Sequence, residues 1–166
     1  MLFGKFNVSS QVFYKTQKSF ALVNLKPLLP GHVLVCPIRV IPRVHDLDPE
    51  EVADFYATVH RVAGVIERVY KADGMQIVIQ DGPCAGQSVY HVHCHIIPRH
   101  INDLPNVDDL YTKLNSPDAN LTLQFELQRD AYYSSSRSNI APDADRKPRS
   151  PEEMAEEAQF LAGYFV

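Results

Sequence analysis

His91, His93 and His95 stand at alternate positions inside the run SVYHVHCHIIP, and the chain has seven histidines in all. Imidazole is nucleophilic and largely neutral near pH 7, so such a row can hold a metal ion, attack an electrophile or relay a proton. A strand over residues 89–97 would place the three rings on one face and Val92, Cys94 and Ile96 on the other. A solitary strand histidine is ordinarily structural. Three on one face would each need a separate buried partner, which favours chemistry over packing.

Two chemistries fit the row. Zinc accepts imidazole readily, but the first and third Cα atoms of such a strand lie about 13 Å apart, too far for one tetrahedral ion to gather all three rings. No second H-x-H, H-x-x-H or C-x-x-C supplies the missing ligands. The alternative is covalent catalysis by His93 on phosphorus. One ring nitrogen would face the phosphate and a carbonyl would hold the other N–H, fixing the tautomer. His95 would then contact non-bridging oxygens or the leaving oxygen, with His91 as a buttress behind. The preceding DGPCAGQS turn adds Gly82, Ala85 and Gly86, which let backbone N–H groups approach an anion, and the side-chain donors Gln87 and Ser88.

The elements that must position this row are legible as patterns. Residues 11–16 and 19–25 read as two short strands, and residues 32–36 as a third, closed by Pro37. Asp48, Pro49 and Glu51 form a capping signal. Val52, Phe55, Val59, Val62, Ile66 and Val69 then give a helix with one apolar stripe. Residues 75–80 make a fourth strand and 89–97 the fifth. Residues 115–149 read as a long, partly mobile loop, with Leu121, Leu123, Phe125 and Leu127 alternating as an added strand. Ser150 and Glu153 open a second helix. The whole is an α+β chain with an antiparallel sheet. It divides into a catalytic domain over 1–112, the loop over 113–149, and a C-terminal helix over 150–166 packing on the same domain.

Bulk properties narrow the class. A chain of 166 residues with 45% apolar and 22% charged residues is an ordinary single-domain composition. Its net charge of −4 offers no global attraction to nucleic acid or an anionic membrane, so a phosphate ligand must be held locally. Three cysteines, none in a C-x-x-C pair, read as reduced thiols, and no apolar stretch reaches membrane-spanning length. A cytoplasmic protein, able also to be nuclear, is expected.

The segment from His91 to Ile97 also resembles the histidine-triad signature, His-φ-His-φ-His-φ-φ with φ apolar. SFALVNLKPLLPGHVLVCPIR, HDLDPEEVADF and QDGPCAGQSVYHVHCHIIPR extend the likeness to the fragile-histidine-triad branch, and DRKPRSPEEMAEEAQFLAGYF is similar to its fungal members. That resemblance implies a five-stranded antiparallel sheet with two helices, dimerising into a ten-stranded sheet. It implies hydrolysis of diadenosine tri- or tetraphosphate to AMP plus ADP or ATP through adenylylated His93. It carries substrate contacts onto His95, Gly86, Gln87, Ser88 and Val89. Asn24 falls at the ribose position, Gln80 at a further nucleotide contact, and His32 at a fourth histidine beside the triad. Phe3 or Phe6 is expected to line the base pocket. Magnesium or manganese would arrive with the polyphosphate, with no protein-held metal. The alternatives within reach are a nucleoside phosphoramidase and a signalling module whose substrate complex is the active form.

Overall fold

The computed structural model describes residues 1–133 and 148–165, with only the backbone given for 130–133. A short hairpin, β1 (Leu2–Phe3) and β2 (Phe6–Asn7), opens the chain and turns at Gly4, whose φ of +57° suits glycine. β3 (Val12–Lys15), β4 (Ser19–Val23), β5 (Val33–Pro37), β6 (Gly74–Ile79) and β7 (Cys94–Arg99) form one antiparallel sheet in the order β3-β4-β5-β7-β6. β4 and β5 are buried throughout, as central strands covered on both faces must be.

α1 (Pro49–Tyr70) lies across β4, β5, β6 and β7. Its expected cap forms: Glu51 accepts from the Asp48 backbone N–H at 2.9 Å. Arg39 grips the same carboxylate, holding it down to a pKa of about 2 against the opposing cost of burial. Phe55, Val59, Val62 and Ile66 are buried against the sheet along the predicted stripe. α4 (Pro151–Ala162) packs on β3 and β4, with Ser150 and Glu153 closing a reciprocal cap of 2.8 and 3.2 Å. The α+β class and the five antiparallel strands agree with the sequence expectation.

Two expectations are corrected. Residues 121–127 are no strand and lie in no loop: they begin α3 (Leu121–Tyr133), which follows the short α2 (Asp109–Leu114). Leu121 and Phe125, four apart, are buried, while Leu123 and Leu127 are exposed, so the 3.6-residue period wins over the alternation. Asn120 decides the start, its side-chain oxygen accepting from Leu123 N at 3.1 Å. Of the expected mobile loop, residues 134–147 lie outside the described residues, while Leu114 ends α2 and Arg149 is hydrogen-bonded to Asn24 and Leu25.

The fifth strand also begins later than residue 89. Its ladder runs only from Cys94, because the backbone before it has other partners. Val92 N donates to Ile41 O, and the His91 carbonyl accepts from the His93 ring. Only His95 of the three histidines therefore sits in the ladder, opposite Leu34 on one side and Val78 on the other.

Candidate active site

The three rings converge although only one is in a strand. His93 and His95 are 5.0 Å apart between centroids, and Phe3 stands edge-on to His93 at 5.1 Å and tilted to His91 at 5.7 Å. All three are buried. Cys94 points to the core side, where burial raises its thiol to about 12, so it is an inert packing group.

Backbone groups assign the proton on each ring. His93 Nδ1 lies 2.7 Å from His91 O, and a carbonyl only accepts, so Nδ1 carries the proton and Nε2 keeps its lone pair. His91 Nε2 lies 2.9 Å from Pro37 O and so is protonated, while its Nδ1 accepts from Gly4 N at 3.0 Å. Leu28 N donates to His32 Nδ1 at 3.1 Å, leaving the proton on His32 Nε2. That nitrogen is 2.9 Å from His95 Nδ1, which must accept, so the His95 proton resides on Nε2.

The outcome is a pair of unlike groups. His93 Nε2 is a lone-pair donor and His95 Nε2 an N–H donor, and both are buried without a hydrogen-bond partner among the described residues. Burial keeps all three triad rings neutral: it lowers the pKa of His91 to about 4 and that of His93 below the imidazole range. It also lowers His95 well below that range, with neighbouring His93 and His32 adding to the effect. An uncharged nucleophile beside an aimed hydrogen-bond donor suits attack on a phosphate ester.

The other expected residues divide. Asn24 is buried, with its amide nitrogen 3.2 and 3.4 Å from the two ring nitrogens of His32. Gly86 has φ +90°, a left-handed conformation that favours glycine, and a Cβ there would displace the side-chain ends of Gln80 and Asn115. Gln80 donates to Asn115 at 3.1 Å. Gln87 does not point its amide outward: it accepts from Gly82 N at 3.0 Å and donates to Pro42 O at 2.7 Å, stitching the turn shut. Gly86, Gln87 and Ser88 line a cavity of about 350 Å³ whose opposite wall includes Asn115 and Asn120. Val89 is buried beneath Gly4.

Phe3, not Phe6, touches the triad. Phe6 stacks on Phe125 at 4.8 Å, with Lys5 and Arg129 on the rim of an adjoining cavity of about 550 Å³. Ser88 Oγ accepts from Leu121 N at 3.2 Å, and Thr122 donates to Ser88 O, so α3 is seated on the turn. Sequence patterns gave no sign of Thr122, and Phe125 entered only as part of an alternating strand. Gly4 was equally hidden, since a backbone N–H donor leaves no trace in residue identity. Among the described residues no three His, Cys, Asp or Glu side chains are disposed to hold a metal ion, and no helix is long and apolar enough to cross a membrane.

Residues 5–102 match the HIT domain model, a span that includes the triad, Asn24 and His32. The chain belongs to the HIT family. It is 48% identical to the asymmetrical bis(5'-nucleosyl)-tetraphosphatase of Schizosaccharomyces pombe, over 99% of this chain and 94% of that protein. It is 42% identical to the bis(5'-adenosyl)-triphosphatase of Dictyostelium discoideum, over 94% of this chain and 86% of the relative. Among solved structures it resembles the Plasmodium falciparum diadenosine triphosphate hydrolase bound to cyclomarin A. That match has a TM-score of 0.70 at 30% identity and covers 99% of this chain and 82% of the other. α3 and α4 lie beyond the matched domain span but within the 99% of this chain shared with the Schizosaccharomyces pombe relative.

Proposed function

We propose that this HIT protein is a hydrolase of dinucleoside polyphosphates, cleaving diadenosine tri- or tetraphosphate to AMP plus ADP or ATP. The observation that carries the reading is the complementary pair at the triad: a buried lone pair on His93 Nε2 beside a buried N–H on His95 Nε2. The relatives' substrates supply the class of ligand.

In the first step His93 Nε2 attacks the α-phosphorus in line. A P–N bond forms as the P–O bond to the departing nucleotide breaks. The ring gains positive charge, which the His91 carbonyl stabilises through Nδ1–H, while His91 itself is pinned at both ring nitrogens. His95 Nε2–H donates to the leaving oxygen as the P–O bond breaks. Water then attacks phosphorus, a P–O bond forms as the P–N bond breaks, the water gives up a proton to solvent, AMP departs and His93 regains its lone pair. Magnesium or manganese belongs to the substrate, neutralising the polyphosphate. Asn24, Gln80, Gly86 and the turn through Ser88 and Val89 are the groups offered to ribose and phosphate. Phe3 and Phe6 are offered to the base.

The reading extends to a homodimer. β6 is an edge strand with Ile77 half exposed, and a second copy pairing there would continue the sheet to ten strands. Sedimentation should give twice the chain mass.

A quench with adenine-labelled diadenosine triphosphate tests the chemistry. Acid-labile, alkali-stable label on the wild type and none on His93→Gly is expected. Failure to trap label in a single turnover would remove the covalent step. Faster cleavage of adenosine phosphoramidate than of diadenosine triphosphate would favour the phosphoramidase reading.

A further inference from the structure

Arg149 is 125 positions away from Asn24, one residue ahead of the α4 cap, yet it converges on two consecutive carbonyls beside the site. Its backbone N–H donates to Leu25 O at 3.0 Å, its Nε donates to Asn24 O at 3.1 Å, and its Nη2 reaches the same Asn24 oxygen. The remaining arm, Nη1, pairs with Glu157, whose other carboxylate oxygen accepts from Tyr70 OH at 2.7 Å. Burial, followed by that carboxylate, raises the Tyr70 pKa, keeping the phenol a donor.

The two carbonyls lie where the sheet stops providing partners. The β4–β5 ladder ends at Val23 opposite Val33, while Asn24 and Leu25 are both buried. A buried carbonyl beyond the ladder needs another donor, and Arg149 supplies it. The same peptide carries the Asn24 side chain. Its Oδ1 accepts from Lys26 N at 3.3 Å, and its amide N–H, a donor, finds on His32 only the Nδ1 lone pair, 3.4 Å away. His32 in turn delivers its proton toward His95 Nδ1.

We propose that Arg149 is a positioning residue for the reaction: by gripping the Asn24 peptide it holds Asn24 against His32, and thereby keeps the His95 proton on the nitrogen that faces the substrate. The inference rests on the hydrolase reading above. It also gives α4 a second task, since Glu157 and Tyr70 orient the guanidinium from that helix and from α1. Docking of α4 does not need this grip alone. Met154, Ala158 and Leu161 are buried beneath it, and Ser150 and Glu153 cap it. A lysine could keep the pairing with Glu157 but not the two-pronged hold on one carbonyl.

Arg149→Met and Arg149→Lys separate positioning from mere support. Both are expected to fold, with far-UV circular dichroism like that of the wild type. With diadenosine triphosphate, kcat should fall on the order of tenfold to a hundredfold, as for a small misplacement of a catalytic group. With the p-nitrophenyl ester of AMP, whose leaving group needs little help, the loss should be about threefold or less. In a His32→Ala background Arg149→Met should cost no more than about twofold, because both changes act through one path. Equal losses on the two substrates, or losses that multiply with His32→Ala, would overturn the proposal.

Imidazole nitrogen-15 spectra give a readout independent of turnover. Wild-type His95 should show a protonated Nε2, and Arg149→Met a mixture of tautomers. An unchanged His95 pattern in a folded variant would defeat the positioning role even if hydrolysis were established. If the wild type turned over neither substrate, the hydrolase reading would fail, and the spectra would still decide what Arg149 does to His95.

Discussion

The two sides of the histidine run are held by different materials. On the sheet side, the backbone groups of Pro37, His91, Leu28 and Gly4 fix the rings directly. On the α3 side, Phe125 stacks on Phe6 and meets Phe3 edge-on at 6.1 Å, and Ser88 receives two hydrogen bonds from the start of the helix. Backbone donors and acceptors are located by the ladder and its flanking turns to within fractions of an ångström, which is what a defined tautomer demands. Ring stacking is tolerant of small slides. Proton placement on His91, His93 and His32 is thus entrusted to main chain and that on His95 to the His32 ring, while the walls around them are left to side chains.

The largest expected effect tests the sheet side. His93→Asn should lower kcat by roughly 10⁴-fold or more while leaving KM within a few-fold, measured by nucleotide release. A residual rate above a tenth of wild type would show that the lone pair on Nε2 is not the nucleophile. The next comparison sets the two sides against each other. Phe55→Ala, in the α1 stripe, should destabilise the fold by about 3–5 kcal/mol in denaturant unfolding. Phe125→Ala should instead speed amide exchange in α3 with less than about 1 kcal/mol of global cost. Equal global costs would erase the distinction drawn here.

Acid should act through the sheet side too. The folded His91 pKa of about 4 lies below its unfolded value, so the unfolded chain binds more protons between about pH 6.5 and 4. Stability is therefore full above pH 6.5 and falls on acidification, by on the order of 3 kcal/mol from this ring once pH 4 is passed. Because burial also lowers His93, the acid limb of kcat/KM should lie below the ordinary imidazole value. An acid limb at or above pH 6.5 would contradict a buried neutral nucleophile. The smallest effect belongs to Ser88→Ala, which removes the acceptor for Leu121 N and should loosen α3 by about 1 kcal/mol, seen as faster exchange near residue 121.

The sheet side was open to sequence reading because its signals are local. Alternate histidines, Pro30-Gly31 before His32, and Asp48-Pro49 with Glu51 each announce an element within a few residues. The four histidines named from the sequence do meet in space, His32 against His95 included. The α3 side was not open in this way. Leu121, Leu123 and Leu127 satisfy a strand period, and only the burial of Phe125 together with Asn120 at the helix start breaks the tie. Gln87 looked like an outward donor because its partners, Gly82 N and Pro42 O, are main-chain groups that any residue type could present. Phe3 and Phe6 were indistinguishable until the Gly4 turn set which ring faces the triad.

The Gly4 N–H that meets His91 spans 87 residues of chain, and the Arg149 grip on Asn24 spans 125. Contacts of that separation close the largest loops and form late, after local helices and hairpins have appeared. A ribosome-bound chain that has released the histidine run, but not yet residue 149, therefore carries all three imidazoles before Arg149 can take hold of the Asn24 peptide.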